Sequence, residues 1–534
     1  MTEATSDSLS TIRRSTLLFF SGTMLSRISG MFRDISLAYA FGTHEALASL
    51  FVGFRFAQLF RRLLGEGALQ SAFIPLFEEI KRESPVHGCR FFRDLSVLWV
   101  GLLSVLCLLT MALLWFLLPL CGSGTREILT LSLIMVPSLL PTCLFGLNSS
   151  FLQSQQEYFV SAVSPIFFNL VIIFSALSLR STSAFEAMPL LSVGIVVACL
   201  AQYTVSFIPV FRHCSRVLKG QFFKGMALFS QEIGRLWKPL SLGLIGIGAS
   251  QINSAIDVLF ARAADAQGPA LLWFAIRFQQ LPLGLFGIAL SSALLPPLTR
   301  ALQAQEREKF LSFVEYAIRQ VVALLLPCMV AFFMLGIPMI NCIYGHGNFG
   351  LSSVIVTTQC LHGYALSLLP MGLITVLAPV FYAQKNYTVP VRGAYFSLIL
   401  NIILNTIMVF VFGWGAMSVT IATSISAWIN AFYLYWNIRS SFGPLITKSG
   451  LEQIFCTLFV VLAASALVWI FLCVFSFPPP FFHYLLPSHI PVLFLDKLAH
   501  LFYPMGTFGL LLFVFAKCMR SKDLFSLLGS FRVK

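Results

Sequence analysis

The sequence predicts an all-α polytopic membrane protein with about fourteen transmembrane helices, in which two six-helix lobes surround a central cationic cavity and two C-terminal helices follow. Three observations predict this class. Only 10% of the residues are charged and 58% are hydrophobic, whereas soluble proteins carry about 25% charged residues. The apolar residues form runs long enough to cross a bilayer. Several of these runs contain arginine, which is costly at membrane depth unless it lines a wet or anionic surface.

A membrane-spanning helix needs about 20 mostly apolar residues, and fourteen segments of the chain meet this requirement. They are residues 15–40, 45–78, 94–120, 127–151, 157–179, 187–211, 238–262, 268–297, 313–343, 353–383, 389–412, 415–438, 452–476 and 496–516. The second and eighth segments are longer than a span needs. Gly65 and Gly67 in the second, and Pro282 and Gly284 in the eighth, predict a kink or an end within each.

Lysine and arginine are concentrated in alternate connections between the predicted helices. Because basic residues stay on the cytoplasmic side of a membrane, this pattern places both termini in the cytoplasm. The first apolar run is too long for a signal-peptide core and no small-residue cleavage site follows it, so we expect no cleavage. The net charge of +14 would indicate nucleic-acid binding in a soluble protein. Here the basic residues follow the membrane topology, and we expect no nucleic-acid partner.

The longest cytoplasmic connection, residues 212–238, divides the first twelve helices into six and six, as in transporters built from two repeats. We assign residues 1–220 to an N-lobe with helices 1–6. Residues 221–440 form a C-lobe with an amphipathic linker and helices 7–12, and residues 441–534 hold helices 13 and 14 and a cytoplasmic tail. The linker sequence KGQFFKGMALFSQEIGRLWK is amphipathic, and we expect it on the inner leaflet.

The first two predicted helices contain five arginines. They are Arg27, Arg33, Arg55, Arg61 and Arg62. Each arginine at membrane depth costs roughly 2.5–3.5 kcal/mol, so these side chains are expected to face a wet or anionic cavity. Asp34 is placed to pair with an arginine of the first helix, and Glu66 lies one turn beyond Arg62. Alternatively, Arg61 and Arg62 extend to the inner headgroups or pair structurally.

The eighth predicted helix contains one arginine, Arg277, with Gln279 and Gln280 beside it. We expect Arg277 to face the cavity and to join the first group of arginines. The guanidinium geometry suits bidentate contact with phosphate oxygens, although a carboxylate would satisfy the same geometry. Arg319, near the start of the ninth helix, is instead expected to have a structural role.

Five segments of the chain carry a resemblance to a known family. They are SRISGMFRD (26–34), FG (41–42), LFRRLLGEGALQSAFIP (59–75), WFAIRFQQLPLGLFGIALSSALLPPL (273–298) and VLAPVFYAQKNYTVPVR (376–392). On these motifs the chain resembles the MurJ (MviN) family of lipid II flippases, within the superfamily that also holds MATE antiporters and polysaccharide flippases. The resemblance covers the first twelve helices and thins over the last two.

The resemblance implies that the chain moves lipid II, an undecaprenyl-pyrophosphate-linked peptidoglycan precursor, from the cytoplasmic to the periplasmic leaflet of the inner membrane by alternating access. It places the family's cationic cavity residues at Arg27, Arg33, Arg61 and Arg277. Our substrate-binding set also includes Arg55, Arg62, Glu66, Asp34 and Gln280. Helices 13 and 14 would form a groove for the polyprenyl tail. We expect a monomer in the bilayer, near the peptidoglycan synthases.

The chain departs from the family pattern at four positions. An acid of the family's second helix falls on Ala48, and the acids that flank the arginine of helix eight fall on Ile276 and Gln280. A lysine of helix ten falls on Thr375. A mechanism in which these charges exchange salt bridges would lack those partners in this chain.

A cation site is a further expectation that the resemblance supports. Some family members bind sodium with oxygen ligands from helices 7, 11 and 12, where this chain has Asp257, Asn401, Asn405 and Thr423. The alternative is that these polar residues form hydrogen bonds between helices. No Walker A motif is present in the sequence, so sodium or the membrane potential, rather than ATP, would drive transport. We expect no other cofactor.

Two other functions are kept as alternatives. One is a related exporter of another polyprenyl-linked saccharide, or a MATE-type antiporter, although a cation exporter would need acids rather than arginines in its cavity. The other is a membrane enzyme that acts on polyprenyl lipids. Such an enzyme needs a catalytic carboxylate in an outer loop, and those loops contain few acids and no catalytic motif. We therefore predict a transporter and not an enzyme.

Overall fold

The computed structural model describes residues 9–65, 67–219, 224–228, 230–474, 492–519, 521 and 523–524, and within them every long regular element is a helix. The helices are α1 (Leu9–Phe41), α2 (Glu45–Phe60), α3 (Ala68–Glu83), α4 (Pro85–Leu117), α5 (Ser123–Met135), α6 (Leu139–Ser154), α7 (Tyr158–Ser178), α8 (Ala184–Val217), α9 (Gln231–Ala264), α10 (Gly268–Pro282), α11 (Ile288–Gln303), α12 (Arg307–Ile343), α13 (Leu351–Ala383), α14 (Thr388–Thr406), α15 (Met417–Phe442), α16 (Lys448–Val474) and α17 (Val492–Cys518).

The fourteen predicted spans all coincide with these helices, and the predicted fold class is confirmed. In the part of the chain that the structure describes, ten helical segments are long and apolar enough to cross a membrane. The four other predicted spans correspond to α1, α2–α3, α9 and α10–α11. These four are the segments that carry the predicted arginines and Asp257, so polar residues are concentrated in the same helices that carry the candidate site.

The second predicted span is interrupted where its glycines predicted a break. A π-helical turn, Arg61–Gly65, ends α2, and Gly67 adopts a positive φ of 65° before α3 begins. A π turn frees backbone carbonyls from the regular helical pattern. The indole nitrogen of Trp99 on α4 donates to one of them, the carbonyl of Leu64, at 3.1 Å. A Cβ atom on Gly146 of α6 would collide with the carbonyl oxygen of Gly65, so α6 crosses this turn in close backbone contact.

The eighth predicted span contains a second π turn, Leu283–Gly287, between α10 and α11, and the break predicted there is also confirmed. The buried Gln279 anchors the end of α10 to α13, since its amide nitrogen donates to the hydroxyl of Ser367. Thr375 of α13 approaches the carbonyl oxygen of Gly287 at 3.4 Å. The first π turn contains the predicted site residues Arg61 and Arg62, and the second begins three residues after Gln280; π turns often occur at such sites.

The chain forms two compact units, Met1–Val258 and Leu259–Lys534, and the division falls within α9. In the first unit, aromatic side chains of α3, α4 and α6 form the core, with Phe92 and Phe151 at a centroid distance of 4.4 Å. In the second unit, α16 and α17 pack against α12. The lobe boundaries predicted at 220 and 440 are placed from the number of helices and not from packing contacts, and they stay predictions.

The linker before α9 is fastened to the first unit by a buried ion pair on α4. Arg93 pairs with Asp94 at 2.7 Å, and its guanidinium also donates to the carbonyls of Lys224 and Gly225 at 2.8 and 3.0 Å. The second oxygen of Asp94 accepts a bond from the amide of Ala227 at 3.2 Å. Of the predicted amphipathic linker, the described residues 224–228 are not helical, and α9 begins at 231, before the predicted 238.

In the second unit, the chain after α17 returns to the start of α12. Arg319 makes a bidentate ion pair with Asp523, with nitrogen–oxygen distances of 2.8 and 2.6 Å. Glu315, one turn before Arg319, accepts a hydrogen bond from the hydroxyl of Thr447 at 2.8 Å. The structural role predicted for Arg319 is therefore confirmed. The outer connection between helices 13 and 14 lies largely outside the described residues.

Candidate functional site

In the first unit, Arg33 on α1 is held by hydrogen bonds to two neighbouring side chains. Its Nε and Nη2 atoms both donate to Oδ1 of Asp34, at 3.0 and 2.8 Å, so the predicted pairing of Asp34 with an arginine of the first helix is confirmed. Nη1 donates to Oδ1 of Asn169 on α7 at 3.1 Å. The Arg33 side chain is 14% exposed and its Cζ atom lies 6.0 Å from the ring centroid of Phe168. Asp34 and Asn169 are buried.

Arg27 differs from Arg33 in its surroundings. It lies on the same continuous helix α1, it is exposed, and it makes no hydrogen bond or ion pair with the residues that the structure describes. A guanidinium in this state has all its donors available to an anion. The two arginines therefore differ in their hydrogen bonding, since Arg33 is held by two protein side chains while Arg27 is available for a ligand.

The remaining arginines of this group lie at the end of α2. Arg55 is half-buried, and its Nε atom donates to the carbonyl of Ser254 on α9 at 3.4 Å. Arg61 and Arg62 open the π turn, where Arg61 is half-buried and Arg62 is exposed. The predicted partner of Arg62, Glu66, lies outside the described residues.

In the second unit, Arg277 of α10 is held by two side chains of its own helix. Its Cζ atom lies 4.3 Å from the ring centroid of Trp273, one turn earlier, in a cation–π contact. Its Nη1 atom donates to Oε1 of Gln280 at 3.3 Å. Gln279 faces the opposite way, into the contact with α13. The structure thus brings Arg277 and Gln280 together as predicted neighbours.

Sequence reasoning missed two residues that hold the candidate site, Asn169 and Trp273. Trp273 could have been found from its position, because residues four apart on a helix lie on one face. Asn169 gave a weaker signal, a single amide within the apolar run of α7. Its contact with Arg33 joins two helices far apart in the sequence, and no local pattern specifies that pairing.

The predicted cation ligands are divided between the two units. In the second unit, the amide of Asn405 donates to Oδ1 of Asn401 at 2.8 Å, and the amide of Asn401 donates to the hydroxyl of Thr423 at 3.3 Å. All three are buried, and the contact between Asn401 and Thr423 joins α14 to α15. In the first unit, Asp257 accepts a bond from Asn253 at 3.4 Å. Carboxylate, amide and hydroxyl oxygens are the ligands that hard cations prefer. The same polar groups also form hydrogen bonds between helices, which is the alternative to a cation site.

The comparison with protein families decides the identity of the fold. The family described as Lipid II flippase MurJ matches residues 37–490, which is most of the chain. The chain belongs to the MurJ family of lipid II flippases. A probable lipid II flippase MurJ from Chlamydia pneumoniae is 29% identical over 443 residues, covering 83% of this chain and 80% of that protein.

Two solved structures agree with this assignment at the level of the fold. The structure of a lipid II flippase MurJ in an inward closed conformation superposes with a TM-score of 0.72 at 22% identity, covering 94% of this chain and 99% of that one. An inward-facing MATE-family multidrug transporter of the MOP superfamily gives a TM-score of 0.63 at 14% identity, covering 80% and 98%. The chain is therefore a multi-pass protein of the inner membrane with the fold of the MurJ and MATE transporters.

The four positions at which the resemblance implies a family charge hold neutral residues in this chain. Ala48 is fully buried on α2, where a carboxylate would lose its hydration. Beside Arg277, Ile276 is apolar and Gln280 supplies a neutral acceptor to the guanidinium. Thr375 donates to the carbonyl of Gly372 at 2.7 Å beside the second π turn.

Proposed function

We propose that this chain carries lipid II from the cytoplasmic to the periplasmic leaflet by alternating access, with both of its termini in the cytoplasm. The observation that carries the proposal is the family match over residues 37–490. The motif resemblance adds the expected cationic cavity residues Arg27, Arg33, Arg61 and Arg277, of which Arg27 and Arg33 lie before the matched range. Lipid II bears a pyrophosphate, and guanidinium groups bind phosphate oxygens through charge-assisted hydrogen bonds. The headgroup is moved without chemical change.

The arginines would bind the substrate in two ways. Arg27, exposed on α1, would contact the pyrophosphate directly. Arg33 and Arg277, each fixed by neighbouring side chains, would present a preorganised positive charge. Preorganised donors bind more tightly because fewer rotamers are lost on binding. The same arginines disfavour a MATE-type exporter of cationic drugs, which needs negative charge at this place.

The membrane potential favours this direction of transport. The cytoplasm is electrically negative, and moving an anion outward gains about 2.3 kcal/mol per elementary charge per 100 mV. Sodium coupling through Asp257, Asn401, Asn405 and Thr423 remains a prediction. Replacement of sodium by potassium in proteoliposomes tests it, with Asn401→Ala as the matching variant, because sodium dependence should disappear in that variant.

Complementation of a flippase-depleted bacterium tests the main proposal, with the accessibility of labelled lipid II at the outer face as the measurement. We expect the chain to restore accessibility, and Arg27→Ala and Arg277→Ala each to abolish it while the protein remains in the membrane. Arg300→Ala, which removes an exposed arginine at the end of α11, is the matched control and should retain activity. Normal accessibility with both site variants would overturn the proposal. If the chain made a different polyprenyl pyrophosphate accessible at the outer face, and not lipid II, the chain would instead be a related exporter.

A further inference from the structure

The side chain of Asn169 connects α7 to two turns of α1. Its Oδ1 atom accepts a bond from Arg33 at 3.1 Å, while its Nδ2 atom donates to the hydroxyl of Ser29 at 2.8 Å and to the carbonyl of Ser26 at 3.3 Å. The residue is only 4% exposed. Since the amide donates to backbone and hydroxyl oxygens of α1, its carbonyl oxygen must point toward Arg33, and the orientation of the amide is determined.

This amide also determines where the Arg33 guanidinium can lie. Asp34 binds Nε and Nη2 from the same helix, and Asn169 binds Nη1 from a different helix. A guanidinium is planar, and partners on two of its sides fix both its position and the direction of its plane. The amide also packs against the backbone of α1 at Gly30, where a Cβ atom would lie 3.7 Å from Nδ2 of Asn169, an ordinary van der Waals distance.

We propose that Asn169 is a positioning residue for substrate recognition, which sets the orientation of the Arg33 guanidinium toward the pyrophosphate of the lipid. The proposal rests on the proposed function, because it takes Arg33 as a substrate-binding residue. Asn169 does not contact the substrate. Its neutral acceptor fixes Arg33 without adding a second negative charge to that of Asp34, so the guanidinium remains able to attract an anion.

A double-mutant cycle between Asn169 and Arg33 tests the proposal, in proteoliposomes that contain the full chain and fluorescent lipid II. We expect Asn169→Ala to raise the lipid II concentration for half-maximal transport about tenfold or more, since hydrogen bonds to charged groups are the stronger class, and to change the maximal rate little. In the Arg33→Ala background, Asn169→Ala should change that concentration by less than about twofold, because the residue acts through Arg33. If Asn169→Ala raised the lipid II concentration for half-maximal transport by the same factor in both backgrounds, Asn169 would have only a structural role, and the proposal would be overturned.

Ser29→Ala is the matched control for the contact between α1 and α7. It removes one of the two acceptors of the Asn169 amide, leaves the carbonyl of Ser26 as the other, and leaves the bond to Arg33. It should change the lipid II concentration for half-maximal transport by less than about twofold. A tenfold increase with Ser29→Ala would also contradict the proposal, since the helix contact alone would then explain the loss.

Asn169→Asp covers the case in which the alanine variant fails to fold. It keeps the acceptor for Arg33 but adds a charge, so we expect weaker binding of lipid II at low salt and partial recovery at high salt. A loss that does not depend on salt would overturn the proposal. If Arg33→Ala reduces transport and Asn169→Ala does not, this inference fails alone. If Arg27→Ala, Arg33→Ala and Arg277→Ala all transport normally, the proposed function fails as well.

Discussion

The Arg277 guanidinium lies over the indole ring of Trp273, with 4.3 Å between Cζ and the ring centroid. Partly desolvated cation–π contacts contribute about 0.5–2 kcal/mol, so this ring is a substantial part of what holds the arginine in place. It is a neutral partner that lies one turn away on the same helix.

The first prediction concerns this ring. Trp273→Leu should weaken lipid II binding by about threefold to tenfold, because Arg277 loses the aromatic face that orients it. Trp273→Phe keeps an aromatic face and should lose less. The measurement is lipid II binding to the purified protein in nanodiscs. Equal losses for the leucine and phenylalanine variants would indicate that packing of the buried side chain, rather than the cation–π contact, explains the effect.

The second prediction concerns the charge beside Arg277. Gln280→Glu places a carboxylate at the position of the present amide oxygen, 3.3 Å from the guanidinium. The new ion pair competes with the anionic substrate, so we expect weaker lipid II binding at low salt, and a smaller difference from the wild type as salt is raised. Gln303→Glu, on an exposed residue at the end of α11, is the matched control and should leave binding unchanged. Tighter binding in Gln280→Glu would contradict this prediction and show that an acid beside Arg277 assists recognition.

The third prediction concerns the crossing of α6 over the first π turn. Gly146→Ala should destabilise the protein by about 1–3 kcal/mol or more, because the new methyl group meets the Gly65 carbonyl. Gly101→Ala on α4 is the control, since a Cβ atom there has no neighbour within 4 Å and alanine is the better helix former. The measurement is the thermal unfolding midpoint in detergent. A midpoint for Gly146→Ala equal to that of Gly101→Ala would contradict the close backbone contact.

The helices themselves were predictable because the bilayer requires long apolar runs, and both broken spans were marked by glycine and proline in the sequence. The candidate site was predictable only in part. Its arginines are conspicuous in apolar helices, and Asp34 is adjacent to Arg33, so that ion pair is local. Asn169 binds Arg33 across 136 positions of the sequence, and such a contact depends on how α1 and α7 pack. The bonds of Arg93 to the carbonyls of Lys224 and Gly225 are equally non-local, because they span 131 and 132 positions of the sequence.

The fourth prediction concerns this linker. Arg93→Ala should destabilise the protein by about 3–5 kcal/mol, because the buried Asp94 loses its charged partner and the carbonyls of Lys224 and Gly225 lose their donor. Arg90→Ala, on the exposed side of the same helix, is the matched control and should stay within about 0.5 kcal/mol of the wild type. Thermal unfolding measures the stability, and the rate of proteolysis within the linker measures whether the linker is still bound to α4. An intact linker in Arg93→Ala would show that the ion pair is not what fastens it.

The fifth prediction concerns pH at the start of α9, before the predicted span 238–262. Hydrogen bonds from the backbone amide of Glu232 and from the hydroxyl of Ser230 lower the pKa of the Glu232 carboxyl below its ordinary value of 4.5, and His87 lies 3.2 Å away. A carboxyl whose pKa is lower in the folded state than in the unfolded state stabilises the fold at pH values above its unfolded-state pKa. This stabilisation is lost as the pH falls through the folded-state pKa.

The wild type should therefore have a higher unfolding midpoint than Glu232→Gln at pH 7, and the difference should shrink as the pH falls below about 4.5. The effect should be small, since the carboxylate is 30% exposed and solvent screens the pair with His87. A difference that stays constant from pH 7 to pH 3 would mean that the ionised carboxylate does not stabilise the start of α9, and that the neutral amide and the carboxylate differ there only in packing.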